Sequence, residues 1–463
     1  MLEHAAAALF LDPGLGKTSI TLAAVKLLKR KKVLSKVLLI APLRVCHSVW
    51  PREVEKWRDF KRLKVVVLHG PNKDELLKQD ADIYVINPEG LDWLLQVKKT
   101  KTPSGKTRVD VDLRRWKELG FDTLVVDELS KFKHPNTNRF KAMKMVLNTF
   151  ARRWGLTGSP ASNGLMDLFG QCYLLDQGRT LGPYITQYRM TYFNQGYDGF
   201  SWTLKEGADE AIYERLRPLA LRMGDDLLDM PKLVENNIKV ALPEKVARIY
   251  TEIEDDLVAK IDEGVITAKT AATASMKCRQ VANGGIYLDQ EVQALVKLPS
   301  TQKKWVDLHE AKLDALEELV EELQGSPLLV AYDFQHDLER IKKRFGKEVP
   351  YIGGGVSVKR SSELEAAWNR GELPILFGHP QSMGHGLNLQ ECGHHIAWHS
   401  LTWDFELYDQ FNRRVRRQGN KSKRVFVHHI IAEGTIDEVI LVALKMKRKG
   451  QNALFSALKK IRK

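Results

Sequence analysis

Short apolar runs rich in β-branched residues alternate with longer helical stretches along most of the chain, in two separate blocks. Such runs, apolar on both faces and separated by helices, are typical of parallel strands covered on each side of a sheet. The first block holds Ala8–Leu11, Val37–Ile40, Val65–Leu68, Ile83–Ile86, Thr123–Val126 and Trp154–Leu156, and the second holds Leu328–Ala331, Ile375–Phe377, His395–His399 and Val425–Ile431. The pattern predicts an α/β protein with two parallel-sheet lobes.

The segment between the two blocks favours helix. Apolar residues from Val246 to Ile261 recur at steps of three and four, with Pro243 suited to the first turn and Gly264 to the end. We therefore expect three parts, which are lobe 1 at 1–175, a helical insertion and linker at 176–305, and lobe 2 at 306–463.

Composition excludes several classes of protein. The 463 residues are 43% hydrophobic and 28% charged, which is an ordinary globular balance and excludes a disordered, collagen-like or disulfide-scaffold chain. Lys and Arg total 72 against 58 Asp and Glu, giving a net charge of +14. Such an excess attracts polyanions, nucleic acid above all, although solubility alone is an equally good explanation of charge by itself.

The cysteines and the apolar runs bear on the compartment. The four cysteines are far apart and form no CxxC pair, which argues against a zinc ribbon and favours reduced thiols in a cytosol. No apolar run approaches the roughly 18 residues of a membrane span, and the start MLEHAAAALFL has no basic leader. We expect a soluble, intracellular protein.

The letters DPGLGKT follow the first predicted strand and precede a helix, which is the setting of a phosphate-binding loop. Gly14 and Gly16 let backbone amides approach phosphate oxygens at a helix N-terminus. Lys17 supplies a charge for the β- and γ-phosphates, and the Thr18 hydroxyl can bind Mg²⁺. The general pattern has a glycine where this chain has Leu11, so a chance match is the alternative.

Two further strands end in polar residues. Asp127 and Glu128 follow a buried strand, where Asp127 can hold Mg²⁺ and Glu128 can polarise the water that attacks a γ-phosphate. The next strand ends in Leu156–Pro160, which carries two hydroxyls and a tight turn. A solvated strand end and a plain turn are the alternatives.

A basic segment lies near the other end of the chain, at Gln410–Gly419. Arg414 and Arg417 are three residues apart and on a helix would share a face, so they could point together at a phosphate as arginine fingers. A surface basic helix is the alternative. The glycine-rich segment 384–390, GHGLNLQ, is suited to close backbone approach.

Taken in order, these blocks resemble superfamily 2 helicases and translocases, specifically small prokaryotic and phage-type members of the Swi/Snf-like branch. The similar blocks are DPGLGKT to motif I, 41–45 to Ia, 127–130 to II, 156–160 to III, 328–334 to IV, 384–390 to V and 410–419 to VI. They cover nearly the whole chain in the order and spacing of the family.

The resemblance implies two RecA-like lobes with ATP and Mg²⁺ in the cleft between them and duplex DNA across their upper face. It assigns catalysis to Lys17, Asp127, Glu128, Arg414 and Arg417. It assigns the nucleotide to Gly14, Leu15, Gly16, Lys17, Thr18, Ser19, Gly386 and Gln410, and Mg²⁺ to Thr18 and Asp127. It assigns DNA contact and its coupling to hydrolysis to Pro42, Arg44, Thr157, Gly158, Ser159 and Asn388.

Three departures from the family pattern stand out. The glutamine that reads adenine lies upstream of motif I in the family and is absent here, through a truncated sequence or through weak base recognition. The block 221–226, LRMGDD, lacks the usual paired basic residues, which leaves its DNA contact open. No appended chromatin-reading or nuclease module is visible.

Other features have ordinary explanations. Seven aromatic residues between Tyr184 and Trp202 could stack on bases, but core packing of an insertion is the commoner explanation. The basic segment 98–108 is either a phosphate-contacting or a solvated loop, and the C-terminal lysines are expected to be a frayed tail. His394, His395 and His399 have no accompanying ligands at metal-binding spacing.

The sequence therefore favours a DNA-stimulated ATPase that moves along or remodels duplex DNA through cycles of lobe closure. A strand-separating or annealing helicase on forked DNA shares these motifs, and a non-catalytic ATP-binding clamp on nucleic acid is the rival from another class. RNA is the less favoured substrate. We expect a monomer that contacts no membrane, in a prokaryotic cytosol or nucleoid or in a phage-infected host.

Overall fold

The computed structural model describes residues 1–103, 107–197, 201–224, 229–262, 268–287, 305–383 and 386–459. The chain divides into two compact units. The first unit comprises 1–227 and 447–463, and the second comprises 228–446. The predicted division at 175 and 305 remains a prediction.

The first unit is built on a seven-stranded, entirely parallel sheet with the order β11-β1-β8-β7-β2-β4-β3. Its strands are β1 (Ala6–Leu11), β2 (Val37–Ile40), β3 (Val65–Val67), β4 (Ile83–Ile86), β7 (Thr123–Asp127), β8 (Arg152–Thr157) and β11 (Ala220–Met223). Two antiparallel pairs lie outside it, β5 (Lys98–Lys101) with β6 (Thr107–Asp110) and β9 (Phe193–Gln195) with β10 (Trp202–Leu204). The strands predicted for the first lobe are all present.

Helices cover both faces of this sheet. They are α1 (Lys17–Arg30), α2 (Leu43–Ser48), α3 (Trp50–Lys56), α4 (Lys73–Lys78), α5 (Leu91–Leu94), α6 (Leu113–Glu118), α7 (Asn138–Val146), α8 (Leu168–Asp176), α9 (Ile185–Tyr192) and α10 (Ala208–Leu216). Alternate residues of β2 face opposite sides, with Leu38 and Ile40 in one hydrophobic core and Val37 and Leu39 in the other. A strand buried on both faces reads as a continuous apolar run, which is why the sequence pattern located it.

The second unit is built on a six-stranded parallel sheet with the order β12-β19-β18-β15-β17-β16. Its strands are β12 (Lys232–Val240), β15 (Leu328–Ala331), β16 (Tyr351–Ile352), β17 (Ile375–Gly378), β18 (His395–Trp398) and β19 (Arg424–Ala432). A short antiparallel pair, β13 (Gly285–Tyr287) with β14 (Trp305–Asp307), stands apart. Both predicted parallel sheets are therefore present, and the predicted α/β class is confirmed.

The helices of the second unit include the amphipathic helix predicted from Val246 onward. They are α11 (Glu244–Asp262), α12 (Ala268–Asn283), α13 (Ala311–Glu322), α14 (Gln335–Phe345), α15 (Val358–Asn369), α16 (Pro380–Met383), α17 (Phe405–Asn412) and α18 (Ile436–Lys459), whose last residues belong to the first unit. Among the residues described, no helix is both long and apolar enough to cross a membrane.

Two strands lie in the segment that was predicted to be helical, and each belongs to one of the two sheets. β11 pairs with β1 at the edge of the first sheet, and β12 pairs with β19 over nine residues at the edge of the second. Each strand lies at a sheet edge and is only partly buried, so neither has the continuous apolar run that marks the central strands. The segment between the two predicted blocks thus supplies one edge strand to each sheet.

The aromatic cluster predicted as core is buried in part. Tyr188, Tyr192 and Phe193 are buried and belong to the hydrophobic core of the first unit, where Tyr188 donates its hydroxyl to the Leu165 carbonyl over 2.8 Å. Tyr184 and Tyr197 are exposed, and 198–200, which includes Phe200, lies outside the described residues. The basic segment is the exposed β5–β6 hairpin, of which 104–106 is likewise outside the described residues.

A polar cluster is buried where the strands of the second sheet end. Lys312 is fully buried, and its Nζ lies 2.6 Å from Asp437 Oδ2 and donates to Asn283 Oδ1 over 2.9 Å. Asp337 Oδ2 accepts from Asn283 Nδ2 over 3.2 Å and from the Ser400 hydroxyl over 2.6 Å. Because each buried charge has partners, the cluster ties α12, α13, α14 and α18 to the end of β18.

Candidate functional site

The loop after β1 has the backbone of an anion-binding turn. Gly14 and Gly16 adopt positive φ angles of 94° and 73°, which side chains disfavour, and α1 begins directly after Gly16. The first amides of a helix have no intrahelical carbonyl partner, and they carry the positive end of the helix dipole. The predicted phosphate-binding loop therefore has the strand, turn and helix that such a loop needs.

Neighbouring residues of the loop hold this shape. The Ser19 hydroxyl donates to the Gly16 carbonyl over 3.0 Å, and the Leu15 amide donates to the Asp12 carbonyl over 3.3 Å. Thr18 lies in the first turn of α1 and is half-buried. Ser19 thus has a structural contact in addition to its predicted place at the nucleotide.

The predicted phosphate-binding lysine points back across the loop. Lys17 Nζ donates to the Leu11 carbonyl over 2.8 Å. Gly158, just after β8, lies close to both groups of this hydrogen bond. A Cβ at position 158 would lie 3.4 Å from the Leu11 carbonyl oxygen and 3.7 Å from Lys17 Nζ. Because β8 is the neighbour of β1 in the sheet, the predicted motif III residue Gly158 borders the lysine and leaves room beside it.

The acidic pair at the end of β7 lies close to the same loop. Burial raises the pKa of Asp127 to about 6, and the nearby Glu128 carboxylate raises it as well, whereas Lys17 and a hydrogen bond from Trp50 oppose the shift. Trp50 Nε1 donates to Asp127 Oδ2 over 3.0 Å, and the Glu128 amide donates to Asp127 Oδ1 over 3.1 Å. The carboxylate is therefore fixed in orientation beside a lysine, as a metal-binding or phosphate-binding carboxylate needs to be.

Glu128 has an unusual backbone conformation. Its φ of 58° and ψ of 62° lie in the left-handed region, where a non-glycine residue is strained. The following residues Leu129–Phe132 form a 3₁₀ turn whose Lys131 amide donates to the Glu128 carbonyl over 3.0 Å. Strain of this kind persists where the surrounding structure fixes it, and it concentrates at functional sites.

The hydroxyls after β8 are buried. Thr157 pairs with Phe10 of β1, and the Ser159 amide donates to Thr157 Oγ1 over 3.1 Å. Gln171 Nε2 donates to the Pro160 carbonyl over 2.6 Å and anchors the end of the turn. The contacts of Thr157 and Ser159 are thus with the turn itself and with the neighbouring strand, and their predicted coupling role remains a prediction.

Two residues predicted to contact DNA lie just beyond β2. Pro42 precedes α2, and its carbonyl accepts from the Cys46 amide over 3.0 Å. Arg44 lies in the first turn of α2 and is half-buried, and its carbonyl accepts from the Ser48 hydroxyl over 2.8 Å. Like the other first-unit candidates, both follow the carboxyl ends of parallel strands, where open α/β sheets bind ligands.

The two candidate arginines of the second unit lie in a turn. Helix α17 ends at Asn412, so the prediction that Arg414 and Arg417 share a helix face is wrong; the chain turns there instead. Both arginines nevertheless reach one short segment, since Arg414 Nη1 donates to the Leu387 carbonyl over 2.9 Å and Arg417 Nη1 donates to Asn388 Oδ1. Burial lowers the pKa of Arg417 from its usual value.

The remaining second-unit candidates adjoin these arginines. Gln410 is buried on α17, and its Nε2 donates to Glu406 Oε1 over 3.2 Å. Asn388 accepts at its carbonyl from Asn369 Nδ2 over 2.7 Å, and its amide donates to Glu365 Oε1 over 2.8 Å. Gly386 has a φ of 77°, whereas Gly384 and His385 of the same predicted motif lie outside the described residues. Within the second unit, Arg414, Arg417, Gln410 and Asn388 therefore form one neighbourhood.

Sequence reasoning missed two residues that contact the first-unit site. Trp50 orients Asp127 from 77 positions away, and Arg222 contacts Asp12, the first residue of the phosphate loop, from 210 positions away. Trp50 belongs to no short motif, and Arg222 lies in the block 221–226, which the sequence links to DNA contact and not to the nucleotide. The sequence signals for these two residues are weak. Trp50 stands next to a proline at the start of a helix, and Arg222 is a lone arginine in an otherwise apolar tetrapeptide.

A family profile and two related proteins are similar to this chain. A sequence profile described as the SNF2-related domain matches residues 3–292. The chain is 33% identical to putative protein p41 of Acyrthosiphon pisum secondary endosymbiont phage 1, over 96% of this chain and 94% of that protein. It is 25% identical to the putative ATP-dependent helicase/translocase YwqA of Bacillus subtilis, over 94% of this chain and 45% of that protein.

One solved structure completes these comparisons. The SWI2/SNF2 ATPase core of Sulfolobus solfataricus in complex with dsDNA matches 97% of this chain and 89% of that chain, at 24% identity and a TM-score of 0.40. The chain thus spans nearly all of the phage protein and about half the length of YwqA.

Proposed function

Because the chain belongs to the SNF2-related, Swi/Snf-like family, we propose that it is a DNA-dependent ATPase that moves along or remodels duplex DNA. One observation carries the proposal. The left-handed glycine loop, Lys17 and the pair Asp127–Glu128 meet at the carboxyl edge of a single parallel sheet. A loop of amides with a lysine recognises phosphates, and a fixed carboxylate pair beside it supplies hydrolytic chemistry.

The residues present fit ATP and Mg²⁺. The side-chain-free space at Gly158 lies next to Lys17 Nζ, and the amides of Gly14–Lys17 lie at the start of α1. Lys17 would exchange the Leu11 carbonyl for the β- and γ-phosphates, and Thr18 and Asp127 would hold Mg²⁺. Few protein ligands suffice, because Mg²⁺ in such sites is bound by one or two carboxylates together with phosphates and water. Mg²⁺ would neutralise charge on the transferring phosphoryl group.

Glu128 is the residue we propose to act on water. Glu128 directly follows the buried Asp127, and its left-handed backbone sets the direction in which its side chain leaves the chain. An ionised carboxylate there accepts a hydrogen bond from the attacking water and orients it toward the γ-phosphate. Lys17 stabilises the negative charge on the phosphate oxygens.

The second unit completes the proposed reaction. We assign charge stabilisation on the leaving phosphate to Arg414 and Arg417, with Gln410 and Gly386 near the nucleotide. Each arginine holds the Leu387–Asn388 segment, so engaging a phosphate would exchange these contacts for the ligand. Since Asn388 is a proposed DNA-contacting residue, the exchange would link hydrolysis to DNA. Pro42, Arg44, Thr157, Gly158 and Ser159 would serve the same coupling from the first unit.

The cellular setting is proposed from the relatives. The phage protein supports a prokaryotic or phage-infected setting, whereas DNA as the partner is supported by the DNA repair and recombination protein RDH54 of Saccharomyces cerevisiae, 23% identical over 94% of this chain and 50% of that protein. We propose duplex DNA as the partner and a monomer acting in a prokaryotic or phage-infected cytosol. The net charge of +14 suits binding to a phosphate backbone.

ATP turnover with and without duplex DNA tests the proposal. We expect turnover that duplex DNA stimulates, that Glu128→Gln abolishes, and that weakens steeply with salt as phosphate contacts are screened. Negligible turnover in both conditions, with ATP still bound, would favour a non-catalytic clamp. Displacement of a triplex strand would show movement along a duplex, and separation of forked strands in its place would identify a helicase.

A further inference from the structure

The strand β11 carries one buried arginine against the root of the phosphate loop. Arg222 Nη2 donates to Asp12 Oδ2 over 2.7 Å, and both side chains are almost fully buried. Arg222 Nη1 donates to the carbonyls of Phe10 over 2.9 Å and of Met223 over 2.6 Å. The guanidinium therefore joins the last residues of β1, the first residue of the loop and its own strand.

The backbone reinforces this connection. Phe10 pairs with Arg222 and Leu11 with Met223 in the parallel register of β1 and β11, and the Asp12 amide donates to the Met223 carbonyl over 3.3 Å. Asp12 is thus held through its side chain by Arg222 and through its amide by Met223. Strand β11 therefore holds the chain at Asp12, just before the turn that contains Gly14 and Gly16.

The position of Asp12 determines where the loop begins. Its carbonyl accepts from the Leu15 amide, and the preceding Leu11 carbonyl accepts from Lys17 Nζ. A shift of Asp12 would move these acceptors and, with them, the amides that follow. Displacement of a substrate-binding group by about 1 Å can reduce activity by about 10²-fold even when the mutation lies outside the chemistry.

We infer that Arg222 is a positioning residue for the phosphate-binding loop, and that strand β11 is a required part of the ATP site. The inference rests on the proposed function, because it names ATP phosphates as the ligand that the loop positions. Arg222 acts through Asp12 and the strand carbonyls. Arg222, which belongs to the block that the sequence links to DNA contact, thereby has a role at the nucleotide.

A matched control exists in the same sheet. Like Arg222, Arg153 of β8 donates to three acceptors, in its case all backbone carbonyls: through Nε to Leu175 over 2.6 Å and through Nη1 to Leu147 over 3.0 Å and Phe150 over 2.6 Å. It lies at the amino end of its strand, at the edge of the sheet away from the loop. Arg153→Gln removes a comparable set of hydrogen bonds without touching the loop.

The test measures steady-state ATP hydrolysis, melting temperature and amide hydrogen exchange in 11–18 for three variants of the full chain. Arg222→Gln should raise the KM for ATP by about 10-fold to 10²-fold and speed exchange in the loop. Arg222→Lys, which can reach Asp12 but not all three acceptors, should show a smaller rise. Arg153→Gln should lower the melting temperature and leave the KM and the loop exchange unchanged.

Two results would overturn the inference. One is a lower melting temperature for Arg222→Gln with the KM and loop exchange of the wild type. The other is an equal rise in KM for Arg153→Gln. If Arg222→Gln does not fold, Asp12→Asn replaces it, and unchanged loop exchange and KM in that variant contradict the inference equally. If the wild type does not hydrolyse ATP, the proposed function fails while the hydrogen exchange still decides the role of Arg222.

Discussion

The carboxyl edges of the two sheets hold their charged groups in different ways. In the first unit, positive-φ residues shape the edge, and Gly158 leaves space beside Lys17. In the second unit, Lys312, Asp437 and Asp337 are buried together and bonded mainly to one another and to neighbouring amide and hydroxyl groups. The first edge is therefore arranged to receive a ligand, whereas this part of the second edge is a closed polar core that fixes the unit's own elements.

Lys17→Ala gives the largest expected effect on ATP turnover. It changes the carboxyl edge of the first sheet, which we call the open edge. Removing the ammonium group deletes the charge that we propose for binding the β- and γ-phosphates, so ATP turnover should fall to background. Lys26→Ala on the same helix is the control, because Lys26 pairs only with the exposed Asp59 among the contacts described. Substantial turnover by Lys17→Ala would show that this edge is not the ATP site.

Arg417→Ala tests whether the second unit takes part in the same reaction. We expect ATP binding to survive and hydrolysis to slow by roughly 10³-fold or more, the effect associated with an arginine finger. The measurements are equilibrium binding of ATP and single-turnover hydrolysis, with the exposed Arg424→Ala as the control. Normal hydrolysis by Arg417→Ala would restrict the chemistry to the first unit.

Lys312→Met tests the buried polar cluster at the carboxyl edge of the second sheet by its effect on the free energy of unfolding. It leaves Asp437 buried without its cation, and breaking one partner of a buried pair costs about 3–5 kcal/mol. Chemical denaturation, followed by hydrogen exchange in α13 and α18, should report the loss. Lys312→Met combined with Asp437→Leu should recover much of it; failure of that recovery would mean that lost packing, and not the stranded charge, causes the effect.

Acid should weaken the second unit through His309. Burial lowers the pKa of His309 from 6.5 to about 4, and Arg340 and Lys312 lower it as well, although its hydrogen bond with Val281 opposes the shift. The folded state therefore disfavours the protonated ring, so this contribution is full above pH 6.5 and is lost as pH falls from 6.5 toward 4. The loss is about 3 kcal/mol for the full shift.

Unfolding titrations between pH 7 and 4 would measure this loss, with His309→Gln as the comparison. The variant should be less sensitive to acid in this range than the wild type. Equal pH dependence of the two proteins would exclude His309 as the source.

Trp50→Phe gives the smallest expected effect and sharpens the description of the open edge. It keeps most of the buried aromatic volume but removes the hydrogen bond to Asp127. A hydrogen bond to a charged group contributes about 1.5–3 kcal/mol, so we expect roughly tenfold or more Mg²⁺ for half-maximal ATPase activity. Trp57→Phe is the control, since the exposed Trp57 donates through Nε1 to Glu53 and not to Asp127. Equal Mg²⁺ dependence of both variants would contradict a role for Trp50 at Asp127.

Most strands of the two parallel sheets could be predicted from the sequence, because central parallel strands are apolar on both faces. Val37–Ile40, Ile83–Ile86 and Leu328–Ala331 match the observed strands residue for residue. The edge strands β11 and β12 were not predicted, because an edge strand is partly exposed and its apolar pattern is broken. The Swi/Snf-like resemblance is confirmed by the SNF2-related profile over residues 3–292.

The site was predictable where its residues are adjacent in sequence. The loop from Gly14 to Thr18 and the pair Asp127–Glu128 lie in short segments whose chemistry can be read from spacing. Trp50, Arg222 and the Lys312 cluster depend on contacts between distant segments, which no local pattern encodes. The turn at Arg414 was missed because three-residue spacing suits a helix and a turn equally well.

The contact between Asp12 and Arg222 has a consequence for dividing this protein into fragments. A fragment ending near residue 175 contains every motif residue of the first sheet and still lacks strand β11. Such a piece would expose the side of β1 and remove the contact that Arg222 makes with the Asp12 carboxylate at the base of the loop. Anyone expressing the amino-terminal half alone should extend it beyond Met223, or expect a well-formed sheet that holds nucleotide poorly.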